Sequence, residues 1–184
     1  MSIFVDWFRS GFSDPQRTVA QIIGFLPMIL SFFTFRQNSR KRIIFFKACS
    51  DSLSALHYFL LREFTGGAVN VVCILRSLIF SQKDKRWARS NWIPVIFCIF
   101  TLLCAIPDFE GAKNLFATVG SCLAIVGFWQ NDIKKLRYFN LAGVSLWLIY
   151  GILAVSVSTI LHNLITIISI LSTLVKERKS KAPA

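Results

Sequence analysis

Of 184 residues, 54% are hydrophobic and 16% charged, and the mean hydropathy is +0.58; a soluble domain carries about 25% charged residues, so a water-soluble globule is excluded. A membrane-crossing helix takes ~20 residues, so seven of them occupy most of the chain and leave no room for a separate soluble catalytic domain. The net charge of +12 would point a soluble protein towards nucleic acid; here the charges collect between apolar runs, which excludes that partner and names the lipid bilayer instead.

The first 17 residues lack the basic start, uninterrupted apolar stretch and small-residue cleavage site of a signal peptide. Phe4, Trp7, Phe8, Gly11 and Phe12 recur there at helical spacing, which predicts either a short amphipathic helix in the outer interface or a frayed terminus. Apolar runs follow at 19–35, 43–61, 66–80, 92–106, 115–129, 138–155 and 157–175. They are mostly too long for barrel strands and lack sustained alternation, so the expected fold is an all-α membrane protein of seven transmembrane helices. Gly66 and Gly67 read as the device that shortens the turn between the second and third. Cys49, Cys73, Cys98, Cys104 and Cys122 all fall in apolar runs without a C-x-x-C pair, so they read as small buried hydrophobes, with no metal or disulfide role.

Lys and Arg occupy alternate connections. Arg36, Arg40, Lys41, Arg42 and Lys47 follow the first run, Lys83, Lys85, Arg86 and Arg89 the third, Lys134, Lys135 and Arg137 the fifth, and Lys176, Arg178, Lys179 and Lys181 the seventh. The other side carries Arg9, Arg17, Arg62 and Lys113. By positive-inside bias the carboxyl end is expected in the cytoplasm and the amino end outside.

Runs one to three and five to seven share this pattern, and residue matches accompany it. Gly24 pairs with Gly120, Phe32 with Phe128, Gln37-Asn38 with Gln130-Asn131, and Asn70 with Asn163. Two three-helix units in one orientation need an odd helix between them, which the fourth run supplies, giving a 3+1+3 arrangement. The expected organisation is an outer or interfacial segment (1–17), a first triple-helix bundle (18–82), a basic loop and linker helix (83–111), a second bundle (112–176) and a basic tail (177–184).

In Ala20-Gln21-x-x-Gly24, Thr34-Phe35, His57-Tyr58-Phe59-Leu60-Leu61 and Gly67-Ala68 followed by Asn70 and Arg76, the chain resembles the bacterial inner-membrane YgjV family, over roughly residues 18–178. More distantly, the 3+1+3 plan with an Asn in each third helix resembles the SWEET sugar transporters and other PQ-loop proteins. That resemblance implies a substrate pocket at Asn70 and Asn163. The Pro-Gln pair that ends the first helix in SWEET proteins is missing, since Pro15-Gln16 precedes that helix, and Pro27 is left as the candidate hinge of span one.

Ionisable groups inside spans are costly and usually face a bundle interior or a wet cavity. Asp51 and Arg76 lie at matching depth, ~9–12 Å from the basic end at 1.5 Å per residue, and are read as an ion pair that locks that side or as a gate. His57, Asn70, His162, Asn163 and Trp147 lie ~6–12 Å from the other end and can meet in one layer. Ser50 and Ser54 on span two, Asn140, Gly143 and Tyr150 on span six, and Thr159, Thr166, Ser169 and Thr173 on span seven add polar stripes. Neutral hydrogen-bonding groups beside aromatic rings suit an uncharged polar ligand such as a sugar; the same residues also serve as ordinary adhesives between membrane helices. The expected activity is SWEET-like facilitated transport of a small polar solute, with Asn70 and Asn163 binding it, Trp147 stacking on it, His57 and His162 shaping the outer pocket, and Asp51 with Arg76 holding the inner side. The alternative is a non-transporting receptor or assembly partner. Catalytic motifs, a cofactor motif and a third metal ligand beside the histidines are missing from the sequence, so an enzyme is not expected.

Overall fold

A computed structural model describes residues 12–106 and 112–181. Seven α-helices follow in order: α1 (Pro15–Thr34), α2 (Arg40–Leu60), α3 (Phe64–Ser81), α4 (Trp92–Cys104), α5 (Ala112–Trp129), α6 (Ile133–Leu153) and α7 (Val157–Lys181), with a 3₁₀ turn at Arg86–Arg89 before α4. No strand occurs among the described residues. Each apolar run forms one helix, but two basic segments are helix starts instead of loops. Ser39 and Asp132 precede α2 and α6, and the Asp132 carboxylate accepts from the Lys134 N–H at 2.8 Å, so winding begins before the apolar residues do. Lys47 and Arg137 therefore project from helices. The amphipathic helix expected around Phe4 and Trp7 lies outside the described residues.

Four helices are long and apolar enough to cross a membrane: α1, α3, α6 and the Val157–Arg178 part of α7. The helices α4 and α5 are apolar but shorter. α2 has the length, yet Lys47, Ser50, Asp51, Ser54 and His57 interrupt its apolar character. Burial explains where those polar groups go. Ile22, Ile29, Phe45, Leu78, Ile99 and Ile168 are exposed, while Gln21, Ser31, Ser50, Asp51, Asn70, Arg76, Asn140, Asn163 and Thr166 are buried. Helices that turn apolar residues outward and polar ones inward fit a hydrocarbon solvent, where each polar group must find its partner within the protein.

Contacts close six of the helices into a ring. α1 packs on α2 and α7, α2 on α3, α3 on α5, α5 on α6, and α6 on α7; α4 packs outside it, against α3 and α5. Short turns make neighbours antiparallel, so Arg40, Lys83 and Arg137 gather at one end, called here the basic end. There they meet helix C-termini, whose last carbonyls lack partners. Arg40 donates to Phe80 O at 3.2 Å and Phe128 O at 3.0 Å, Arg137 donates to Phe35 O at 3.3 Å and Gln37 O at 3.4 Å, and Lys83 donates to Trp129 O. The arginines also cross the ring: Arg40 on α2 reaches α5, and Arg137 on α6 reaches α1.

Local geometry recurs at one constant sequence spacing. Gln37 Nε2 donates to Phe33 O and Gln130 Nε2 to Val126 O, both at 3.2 Å. Asn70 donates to Gly66 O at 2.8 Å, and Asn163 to Thr159 O at 3.0 Å. The turns after α2 and α6 both place a left-handed residue, Arg62 (φ 63°) and Val155 (φ 51°), and both close with a bond from the next N–H, Glu63 to Tyr58 O and Ser156 to Gly151 O. This corrects the role expected of Gly66 and Gly67, which lie inside α3. A Cβ on Gly66 would meet Tyr150 Oη at 2.7 Å, and one on Gly67 the Phe59 ring at 2.6 Å. Phe35 and Phe128 lie at the same spacing, and their rings stack with centroids 6.3 Å apart.

Candidate functional site

The ring encloses a cavity of about 60 Å³ whose walls come from all six ring helices and from no residue of α4. That volume holds on the order of four water molecules. Asp51, His57, Asn70, Arg76, Trp147, His162 and Asn163, the seven residues singled out from the sequence, all line it.

Towards the basic end, Arg76 Nη2 lies 3.3 Å from Asp51 Oδ2, and both side chains are within 1% of complete burial. The structure thus brings together the two residues that the depth argument placed at matching level. That depth count missed the third member: Lys47, one turn before Asp51 on α2, pairs with the other carboxylate oxygen, Oδ1. The Arg76 guanidinium sits over the Phe128 ring at 4.6 Å from its centroid. Its Nε and Nη1 are buried with no hydrogen-bond partner.

The two histidines are held in different ways. His57 Nδ1 is 2.7 Å from Ala20 O and Nε2 is 2.9 Å from Ser156 Oγ, so the ring ties α1 to the turn between α6 and α7. Gly24 makes this clamp possible, because a Cβ there would meet His57 Nδ1 at 2.7 Å. His162 Nε2 is 3.0 Å from Ser31 Oγ, which is 3.3 Å from Ser50 Oγ, and Ser50 donates to Pro27 O at 3.4 Å. The carbonyl of Pro27, the hinge candidate, is thus engaged by α2. The two asparagines donate their amide N–H groups to their own helices, as given above. The Trp147 indole N–H donates to Ser121 Oγ at 3.0 Å.

Aromatic side chains take part in the cavity wall. On the basic side Phe35 lines it and stacks on Phe128, each about 1% exposed. At the opposite end Tyr58, Trp147 and Tyr150 cluster with centroids 5.2–5.7 Å apart. Beyond them Tyr150 donates to Glu63 at 3.3 Å, and Lys113 pairs with the same carboxylate at 3.2 Å. Tyr58, Glu63 and Lys113 were not proposed as site residues from the sequence, because Tyr58 meets α6 across the ring and Glu63, before α3, meets Lys113 on α5, pairings that no sequence spacing reports. Outside the spans, Lys41 at 2.7 Å holds the Asp84 carboxyl below its usual range, while burial and the nearby Arg40 and Arg89 push the Lys83 amine below its own.

These groups supply hydrogen bonds and one compact charge cluster. Among the described residues no group of three or more His, Cys, Asp or Glu is placed to hold a metal ion. No curated protein and no solved structure matches the chain. Residues 18–181 match the Imp-YgjV family, described as a bacterial inner membrane protein. That span takes in every residue of the cavity wall and all seven helices but the first turn of α1, and the chain belongs to this family of inner-membrane proteins.

Proposed function

We propose that this protein carries a small polar solute across the inner membrane through the central cavity, opening the two aromatic closures in turn. The observation that carries the reading is one cavity lined by both Asn70 and Asn163. A bundle whose polar residues served adhesion alone would spend them on pairwise contacts between helices; here polar groups from six helices converge on a shared space. The equal spacing of Gln37 and Gln130, Arg62 and Val155, and Asn70 and Asn163 supports a 3+1+3 repeat about an axis along the cavity. The excess of basic residues at one end supports a cytoplasmic carboxyl terminus and an outer amino terminus.

Size narrows the solute. Pockets for drug-sized ligands run ~300–1,000 Å³, and a cavity of about 60 Å³ admits only a few heavy atoms until the ring widens. A sugar, the solute expected from SWEET-like proteins, needs that widening. In this proposal Asn70 and Asn163 offer their carboxamide oxygens to the solute, His57 clamps the helices, and Trp147 closes the far end. The rival reading, a non-transporting receptor or assembly partner, draws support from both asparagines satisfying their N–H groups within their own helices.

The test is solute flux into proteoliposomes, over a panel of labelled small solutes and sugars, comparing the native chain with Asn70→Ala/Asn163→Ala at equal membrane abundance. Saturable flux that falls at least tenfold in the double variant supports the conduit. Folded protein with no flux for any solute turns the weight to the receptor reading.

A further inference from the structure

We propose that Arg76, Lys47 and Asp51 form a seat for a small monovalent anion in the central cavity, of the size of nitrate, chloride or formate. This deepens the transport reading, on which it rests for the identity of the cargo.

The charges do not balance. Asp51 is the one acidic residue lining the cavity, and it faces two cations, Arg76 and Lys47. Each of its oxygens is taken, Oδ1 by Lys47 and Oδ2 by Arg76, so the cluster keeps one positive charge. Isolated charge in a membrane interior is expensive, and it is normally matched by a partner.

The hydrogen bonds do not balance either. A guanidinium carries five N–H donors. Nη2 of Arg76 is shared between Asp51 Oδ2 at 3.3 Å and Ser77 Oγ at 3.4 Å, whereas Nε and Nη1 are buried without partners. Arg76 is completely buried, lines the cavity and stacks on Phe128. A fully buried cation with unused donors beside a small open volume is the complement of a small anion. The ion would accept from those donors and cancel the surplus charge. The volume excludes large anions, which gives a size control.

The experiment follows thermal unfolding of the purified full-length protein in detergent. Sodium nitrate, chloride or formate is titrated against sodium gluconate at constant ionic strength, gluconate being too large for the cavity. The expected result is a saturable rise in Tm with at least one small anion and none with gluconate. Arg76→Gln removes the rise. Asp51→Asn removes the competing carboxylate and tightens apparent binding ~10-fold, the opposite of what loss of a purely structural ion pair would do. Should Arg76→Gln not fold, Lys47→Gln tests the same charge and weakens binding ~10-fold. No saturable rise with any small anion in the folded native chain overturns the proposal, as does a rise that Arg76→Gln or Lys47→Gln leaves unchanged. Binding is read here without flux, so a chain that binds the anion but moves nothing refutes transport and leaves the anion seat standing.

Discussion

Val155 holds a left-handed backbone at φ 51°, a conformation that costs a residue with a Cβ roughly 1–2 kcal/mol and suits glycine best. The turn needs it, because Ser156 must donate to Gly151 O at 3.0 Å, and Ser156 then offers its hydroxyl to His57. Val155→Gly relieves the strain at the cost of a half-buried side chain and of added freedom in the unfolded chain. The relief is close to these costs, so stability is expected to change by no more than about 1 kcal/mol, read as a Tm in detergent near the native value; a clear fall would show that the valine side chain contributes more than its backbone costs. Arg62 does the same at the equivalent turn. Neither turn is legible from residue type, since left-handed positions are expected at Gly or Asn, and the nearby Gly66 and Gly67 invited the wrong assignment. The pair of Asp51 and Arg76 was legible because depth in a helix can be counted. Lys47 was not, since a lysine just before an apolar run reads as loop until the helix start is known. The commitments of His57 and Trp147 also escaped the sequence, because Ser156 and Ser121 lie on other elements and no spacing links them.

The helices end where arginines await them. α1, α3 and α5 finish at the basic end, and their last carbonyls accept from Arg137, Arg40 and Lys83 across the ring. The lysines and arginines that alternate between the apolar runs of the sequence thus also bond the ring together, and this role needs tertiary structure to be seen. Arg137 is 1% exposed at its side chain, pairs with the half-exposed Glu177 on α7 and reaches two carbonyls beyond α1. Arg137→Gln keeps the side-chain length roughly but loses the charge and most of these bonds. Destabilisation of about 2–3 kcal/mol is expected, below the 3–5 kcal/mol of a fully buried pair because Glu177 regains water. Chemical unfolding in mixed micelles checks it; a change under 1 kcal/mol would mean that the α1 terminus finds other donors.

The whole molecule is a ring of helices around a polar centre, with aromatic clusters towards each end. Apolar length, charge alternation and the all-helical class were readable in the sequence, because hydrocarbon imposes those on any spanning helix. The closure of the ring was not, since it depends on which faces meet. If Phe35 and Phe128 are the stopper at the basic end, trimming both leaves the cavity open on that side. Phe35→Ala/Phe128→Ala is expected to raise leakage of small solutes from proteoliposomes several-fold over the native chain, because each opening of the opposite closure then joins the two faces. Unchanged leakage would place the barrier elsewhere, at Arg40 and Arg137.

The position of α4 carries a consequence of its own. It touches α3 and α5 from outside and lends no side chain to the cavity; in the proposed 3+1+3 plan its duty is parity, letting α5 enter the ring in the direction of α1. Any apolar helix that covers the same two neighbours can perform that duty. Substitutions on its outward face leave the cavity wall untouched, whereas Phe97, buried edge-on against Phe80 in the cluster that also holds Phe35 and Phe128, is the point at which α4 can be felt at the ring's basic end.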